Sequence, residues 1–108
     1  MSSFPTMSDA DQKKPLCYDP QRDRFIYYTD LISKQEKIIP LQHLSHDQLK
    51  HLILERNRVG SDYTVTTLNG EHFSRDQVMQ EIAQETPFGR MTLEAEASML
   101  SDLLKRIE

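Results

Sequence analysis

Leu44-Ser45-His46-Asp47-Gln48-Leu49 and Phe73-Ser74-Arg75-Asp76-Gln77-Val78 follow one template. In each, Ser can accept from the backbone N–H three residues on, and Gln at that position can reach back to the Ser N–H. The apolar residues on either side can close over the pair as a hydrophobic staple. Two such sets locate two helix starts, and the rest of the chain is read outward from them.

The first helix runs from about His46 to Arg58, with Leu49, Leu52 and Ile53 as its inward stripe and Gly60 placed to end it. The second spans about Arg75 to Gln84, with Val78, Met79, Ile82 and Ala83 apolar. Between them, Tyr63–Leu68 is rich in β-branched residues and reads as a strand. Asn69-Gly70 then favours a two-residue turn with positive φ at both positions, and Glu71-His72-Phe73 makes the return arm. After Thr86-Pro87, which suits a helix start, a last helix continues to about Ile107. Glu94 and Glu96 come early in it and Lys105 and Arg106 late, as the macrodipole prefers.

Toward the N-terminus, Leu16-Cys17-Tyr18, the turn-rich Asp19–Asp23 and Arg24–Thr29 read as a hairpin. Phe25 and Tyr27 alternate with Ile26 and Tyr28, so both faces of the second arm are apolar. Such an arm is covered on both sides or turns one face to a partner. Lys37–Leu41 is a third candidate strand, confined to an edge or strand end by Pro40. Residues 1–14 hold scattered apolar groups among Ser, Asp and Lys and read as a flexible tail, leaving residues 15–108 as one small domain. The expected fold is α+β: a short antiparallel sheet of about four strands packed by three helices, the last long and amphipathic.

Composition narrows the function. Hydrophobic residues are 37% and charged residues 28%, which is globular. One cysteine, Cys17, excludes an internal disulfide. With no apolar run suited to a signal peptide or membrane span, a reducing, cytoplasmic setting is the default. The net charge of −4 is concentrated late: residues 74–108 carry four basic and seven acidic groups, against six and six in residues 1–44. No basic stripe for phosphate appears.

Chemical motifs are sparse. His43, His46, His51 and His72 are not spaced as a metal set; His46 and His51, on one helix, are five apart, so they do not share a face. Nothing around Cys17 favours a thiolate, and it reads as a small apolar strand residue. The capping serines are engaged with backbone. Three glycines in the whole chain leave no phosphate cradle. We therefore expect no catalytic residue, cofactor or metal.

The last helix carries two apolar stripes. Phe88, Met91, Ala95 and Met99 share one; Leu93, Ala97, Leu100, Leu104 and Ile107 share another with coiled-coil spacing. A surface helix of a small monomer needs one. We expect the second stripe, with Phe25 and Tyr27, to meet another protein or a second copy of this chain. Five aromatic residues, Tyr18, Phe25, Tyr27, Tyr28 and Tyr63, serve a core or an interface. The expected role is a non-catalytic interaction, regulatory or adaptor domain. The alternative is a nucleic-acid-associated transcriptional regulator using residues 74–107 as a helix-turn-helix, which Glu94 and Glu96 oppose. A third class is an enzyme with a site assembled across a dimer interface.

Overall fold

A computed structural model describes residues 7–107. Both capping boxes form. Ser45 Oγ accepts from Gln48 N–H at 3.1 Å while Gln48 Oε1 accepts from Ser45 N–H at 2.9 Å. Ser74 Oγ accepts from Gln77 N–H at 3.2 Å and Gln77 Oε1 from Ser74 N–H at 2.8 Å. These start α3 (His46–Val59) and α4 (Arg75–Gln84). The staple residues Leu44, Leu49 and Phe73 pack against the core and Val78 is fully buried in it. Ser45→Ala and Ser74→Ala should each cost about 1 kcal/mol. Urea unfolding checks this; unchanged midpoints for both would contradict the role given to the boxes.

α5 (Pro87–Ile107) begins as expected at Pro87. Thr86 serves as its cap, because Thr86 Oγ1 accepts from Gly89 N–H at 3.1 Å. Before it, α4 ends on Glu85 at φ 56°, an uncommon left-handed position for a non-glycine residue. The Glu85 side chain is tied down by His46 Nε2 at 2.5 Å and by Lys50 Nζ at 3.3 Å.

The strands differ from expectation. Among the described residues there is no single sheet of four strands. β1 (Cys17–Asp19) pairs antiparallel with β2 (Arg24–Ile26), and β3 (Thr64–Thr66) with β4 (His72–Ser74), as two separate hairpins. The first packs through β1 on α3, whereas the second packs on α4, so different helices cover the two. At the second turn only Gly70 takes positive φ, at 84°. Its N–H donates to Thr67 O at 3.0 Å and Thr67 N–H donates to Glu71 O at 2.9 Å, so the loop has three residues, Leu68, Asn69 and Gly70, instead of the two expected from Asn69-Gly70.

The arm expected over Arg24–Thr29 stops at Ile26. Asp30 Oδ2 accepts from Tyr27 N–H at 2.9 Å, and the chain turns there into a short helix, α2 (Tyr28–Ser33). Tyr27 is thus a helix cap, and it no longer shares a strand face with Phe25. Arg22 bridges Asp19 and Glu36, each at 2.6 Å, and ties the β1–β2 turn to the segment beyond α2. Lys37–Leu41 forms no strand. Pro40 removes a ladder donor, and Leu41–His43 instead makes a 3-10 turn closed by His43 N–H on Pro40 O at 3.0 Å.

Five α-helices therefore replace the three expected among the described residues. The fifth is α1 (Asp9–Gln12), capped by Ser8 and lying inside the stretch expected as a loose tail. Met7 is 8% exposed and belongs to the core cluster. Of that stretch Met7 is buried whereas Ser8, Asp9, Ala10 and Lys13 are exposed, and just beyond it Arg56 Nη1 donates to Pro15 O at 2.7 Å. The first six residues of that expected tail lie outside the described residues.

The core joins Leu16, Cys17 and Ile26 of the first hairpin region, Leu52 and Ile53 of α3, and Val78 and Ile82 of α4. The other side comes from Leu93, Leu100, Leu104 and Ile107 of α5. Cys17 is fully buried, as a small strand residue would be, and burial pushes its thiol pKa up. No helix among the described residues is long and apolar enough to cross a membrane.

Candidate functional site

The two stripes of α5 exchange the roles expected of them. Leu93, Leu100, Leu104 and Ile107 are buried in this chain's own core, so they are not available as an outer interface. The reason is the N-terminal half of the chain: it packs Leu16, Ile26 and Leu31 into the same cluster and uses that stripe up. Ala97 is half-buried at the side of an open groove of about 460 Å³ between α3 and α5, lined also by Leu49, His46, Glu85 and Arg90. The stripe left outside is the other one. Met91 is 61% and Met99 70% exposed, and Ala95 between them is exposed too. Phe88, at the head of that stripe, is half-buried because its ring stacks on Phe73 at 4.4 Å.

Phe25 and Tyr27, expected to join the interface, do not join either α5 stripe. The Phe25 ring lies 5.5 Å from Tyr18 and 5.0 Å from His51, a small aromatic cluster over α3. Tyr27 is half-buried at the start of α2. Among the described residues, no three His, Cys, Asp or Glu side chains converge as a ligand set. His46 pairs with Glu85, and His72 Nδ1 meets Thr66 Oγ1 at 3.0 Å.

A second feature is a charged cleft where the end of α3, the residues around Lys14 and the middle of α5 meet. It holds about 380 Å³, and its lining includes the charged Asp11, Lys14, Arg56, Glu96, Asp102 and Arg106 beside Met99 and Leu103. A smaller recess of about 100 Å³ adjoins it and adds Asn57, Gly60 and Tyr63. Its polar wall is orderly. Buried Asn57 donates through Nδ2 to Ile53 O at 2.9 Å and to Glu96 Oε1 at 3.1 Å, and its Oδ1 accepts from Tyr63 O–H at 2.5 Å. Every polar atom of that amide is engaged, so the Glu96 carboxylate is held in one place.

The electrostatics follow from burial. Burial raises the Glu96 pKa, only partly offset by the Asn57 hydrogen bond and the nearby positive Arg56. Burial also lowers the Arg56 pKa, and pushes Tyr63 up to about 12. Arg56 and Glu96 feel each other's charge yet make no ion pair; the one side-chain hydrogen bond of Arg56 among the described residues goes to Pro15 O.

The pH consequence has a definite sign. A carboxyl whose folded pKa lies above its unfolded value contributes stability below the ordinary value of 4.5 and loses it as pH rises through the raised value. Glu96→Gln keeps an acceptor for Asn57 and removes the titration. Its melting-temperature advantage over wild type should therefore grow between about pH 4 and about pH 8. A difference that stays flat across that window would contradict a desolvated Glu96.

The signal for this cleft was present in the sequence as polar residues on apolar stripes. Asn57 falls four positions after Ile53 on the inward face of α3, and Glu96 lies between Leu93 and Leu100 on that of α5. What the two face could not be read without the N-terminal segment in place. Comparison with protein-family models, curated proteins and solved structures finds no match to this chain.

Proposed function

We propose that this protein is a non-catalytic interaction domain with a regulatory or adaptor role, and that it associates with a second copy of itself through the outer stripe of α5. The observation that supports this reading is the exposure of Met91 and Met99 on either side of Ala95. Two large apolar side chains in one exposed stripe have no folding role, and their burial against another surface is favourable. The stripe is also self-complementary. Met91 stands four residues before Ala95 and Met99 four after it. An antiparallel copy related by a two-fold axis at Ala95 sets each Met91 against a Met99, with two small side chains at the crossing point. Methionine suits such a surface because its flexible thioether adapts to an imperfect fit. A cytoplasmic setting suits the free, buried Cys17.

Sedimentation equilibrium should show a concentration-dependent dimer. The double substitution Met91→Glu and Met99→Glu should yield a monomer with unchanged circular dichroism, because neither side chain enters the core. A wild type that stays monomeric at high concentration would rule out this mode of association. A salt-sensitive shift on duplex DNA would favour the nucleic-acid alternative.

A further inference from the structure

We propose that the cleft between Lys14, Arg56 and Glu96 binds a free apolar α-amino acid as its zwitterion. In the bound state the carboxylate of the ligand sits on Arg56, its ammonium on Glu96 and its side chain against Leu103. Four observations lead there. Arg56 and Glu96 line one cleft with opposite charges and without an ion pair to each other, so each keeps bonding capacity for a third party. Glu96 is fixed by Asn57, itself fixed by Ile53 O and Tyr63, which is the pre-arranged support a recognising carboxylate needs. Formal charge in the cleft balances: Lys14, Arg56 and Arg106 face Asp11, Glu96 and Asp102. A phosphate or a dicarboxylate would add negative charge beside Glu96 and Asp102, whereas a zwitterion adds none and answers both signs. Met99 and Leu103, one and two turns along α5 from Glu96, supply apolar lining, and the volume of about 380 Å³ lies within the range of small-molecule sites.

Arg56 offers a planar fork of donors for a carboxylate once one Nη is spent on Pro15 O. Lys14 also lines the cleft, its Nζ 3.6 Å from Asp11 Oδ1, and adds positive charge there.

The test is a titration of ¹⁵N-labelled protein with L-leucine, in wild type and in Met91→Glu, which keeps the outer stripe of α5 out of the measurement. Saturable shifts at Gly60, Ser61 and Glu96 are expected in both. Leucinamide lacks the carboxylate and 4-methylpentanoate lacks the ammonium; each should bind about tenfold more weakly than L-leucine, the cost of one charge-assisted contact. Glycine, without an apolar side chain, should also bind more weakly. Glu96→Gln should weaken L-leucine but not 4-methylpentanoate, whose carboxylate loses a repelling neighbour, a split that general damage to the fold does not produce. Arg56→Lys should weaken both ligands. Two outcomes would overturn the proposal: no saturable shift with L-leucine up to its solubility, or shifts of equal size and midpoint with leucinamide.

Discussion

Gly89→Ala is expected to destabilise the domain by about 3 kcal/mol or more, at the upper end of the overpacking range. In an exposed helix the same change stabilises, since alanine is the better helix former by about 1 kcal/mol. The sign reverses here because α5 crosses α4 at this point with backbone against side-chain-free backbone. A Cβ on Gly89 would lie 1.9 Å from Glu81 O and 2.3 Å from Glu81 C. Those atoms are helix backbone and cannot rotate away. To admit the methyl group the two helices must separate, which opens the core around Val78, Ile82 and Leu93. Urea unfolding of the variant, followed by circular dichroism, measures the loss. A variant as stable as wild type would mean that α4 and α5 do not meet this closely.

Leu100→Glu is expected to abolish cooperative folding. Leu100 is 2% exposed, in the middle of α5 and inside the main cluster. Truncating such a leucine costs about 2–5 kcal/mol through lost transfer and the cavity left behind. A glutamate there adds the cost of an unpaired carboxylate in an apolar setting, which is larger still. Against a total stability of about 5–15 kcal/mol for a domain of ordinary size, the sum leaves little or nothing. The neighbouring substitution is the control. Met99 is 70% exposed, and Met99→Glu should change stability by no more than about 0.5 kcal/mol. Melting curves of the two variants separate the faces of α5. A folded, monomeric Leu100→Glu protein would mean that the inner stripe of α5 belongs to an interface between copies.

The helix starts were legible because a capping box is a local device. Ser45 with Gln48, and Ser74 with Gln77, complete their hydrogen bonds within four residues and need nothing from the rest of the chain. The turn into α2 was not legible from the same template, because only half of the device is present. Asp30 caps the Tyr27 N–H, but tyrosine stands where the serine would be, within a run whose aromatic and β-branched residues favour a strand. Lys37–Leu41 forms no strand for a reason visible in the sequence: Pro40 lacks the ladder donor, and the chain breaks there into a 3-10 turn.

α3, α4 and α5, their limits and the presence of two apolar stripes on α5 follow from the sequence by itself, since propensity, caps and periodicity act over one or two turns. Which stripe is core and which is surface follows from the tertiary structure alone. Periodicity reports that Leu100 and Met99 lie on different faces; it does not report which face the chain from Met7 to Leu41 will cover. Burial is a competition among distant segments for one apolar surface, and it is decided only when all of them are present. The Arg56–Glu96 cleft has the same origin. Its charges come from residues more than thirty positions apart, and burial pushes their pKa values toward the neutral forms only after residues 11–15, α3 and α5 have closed around them.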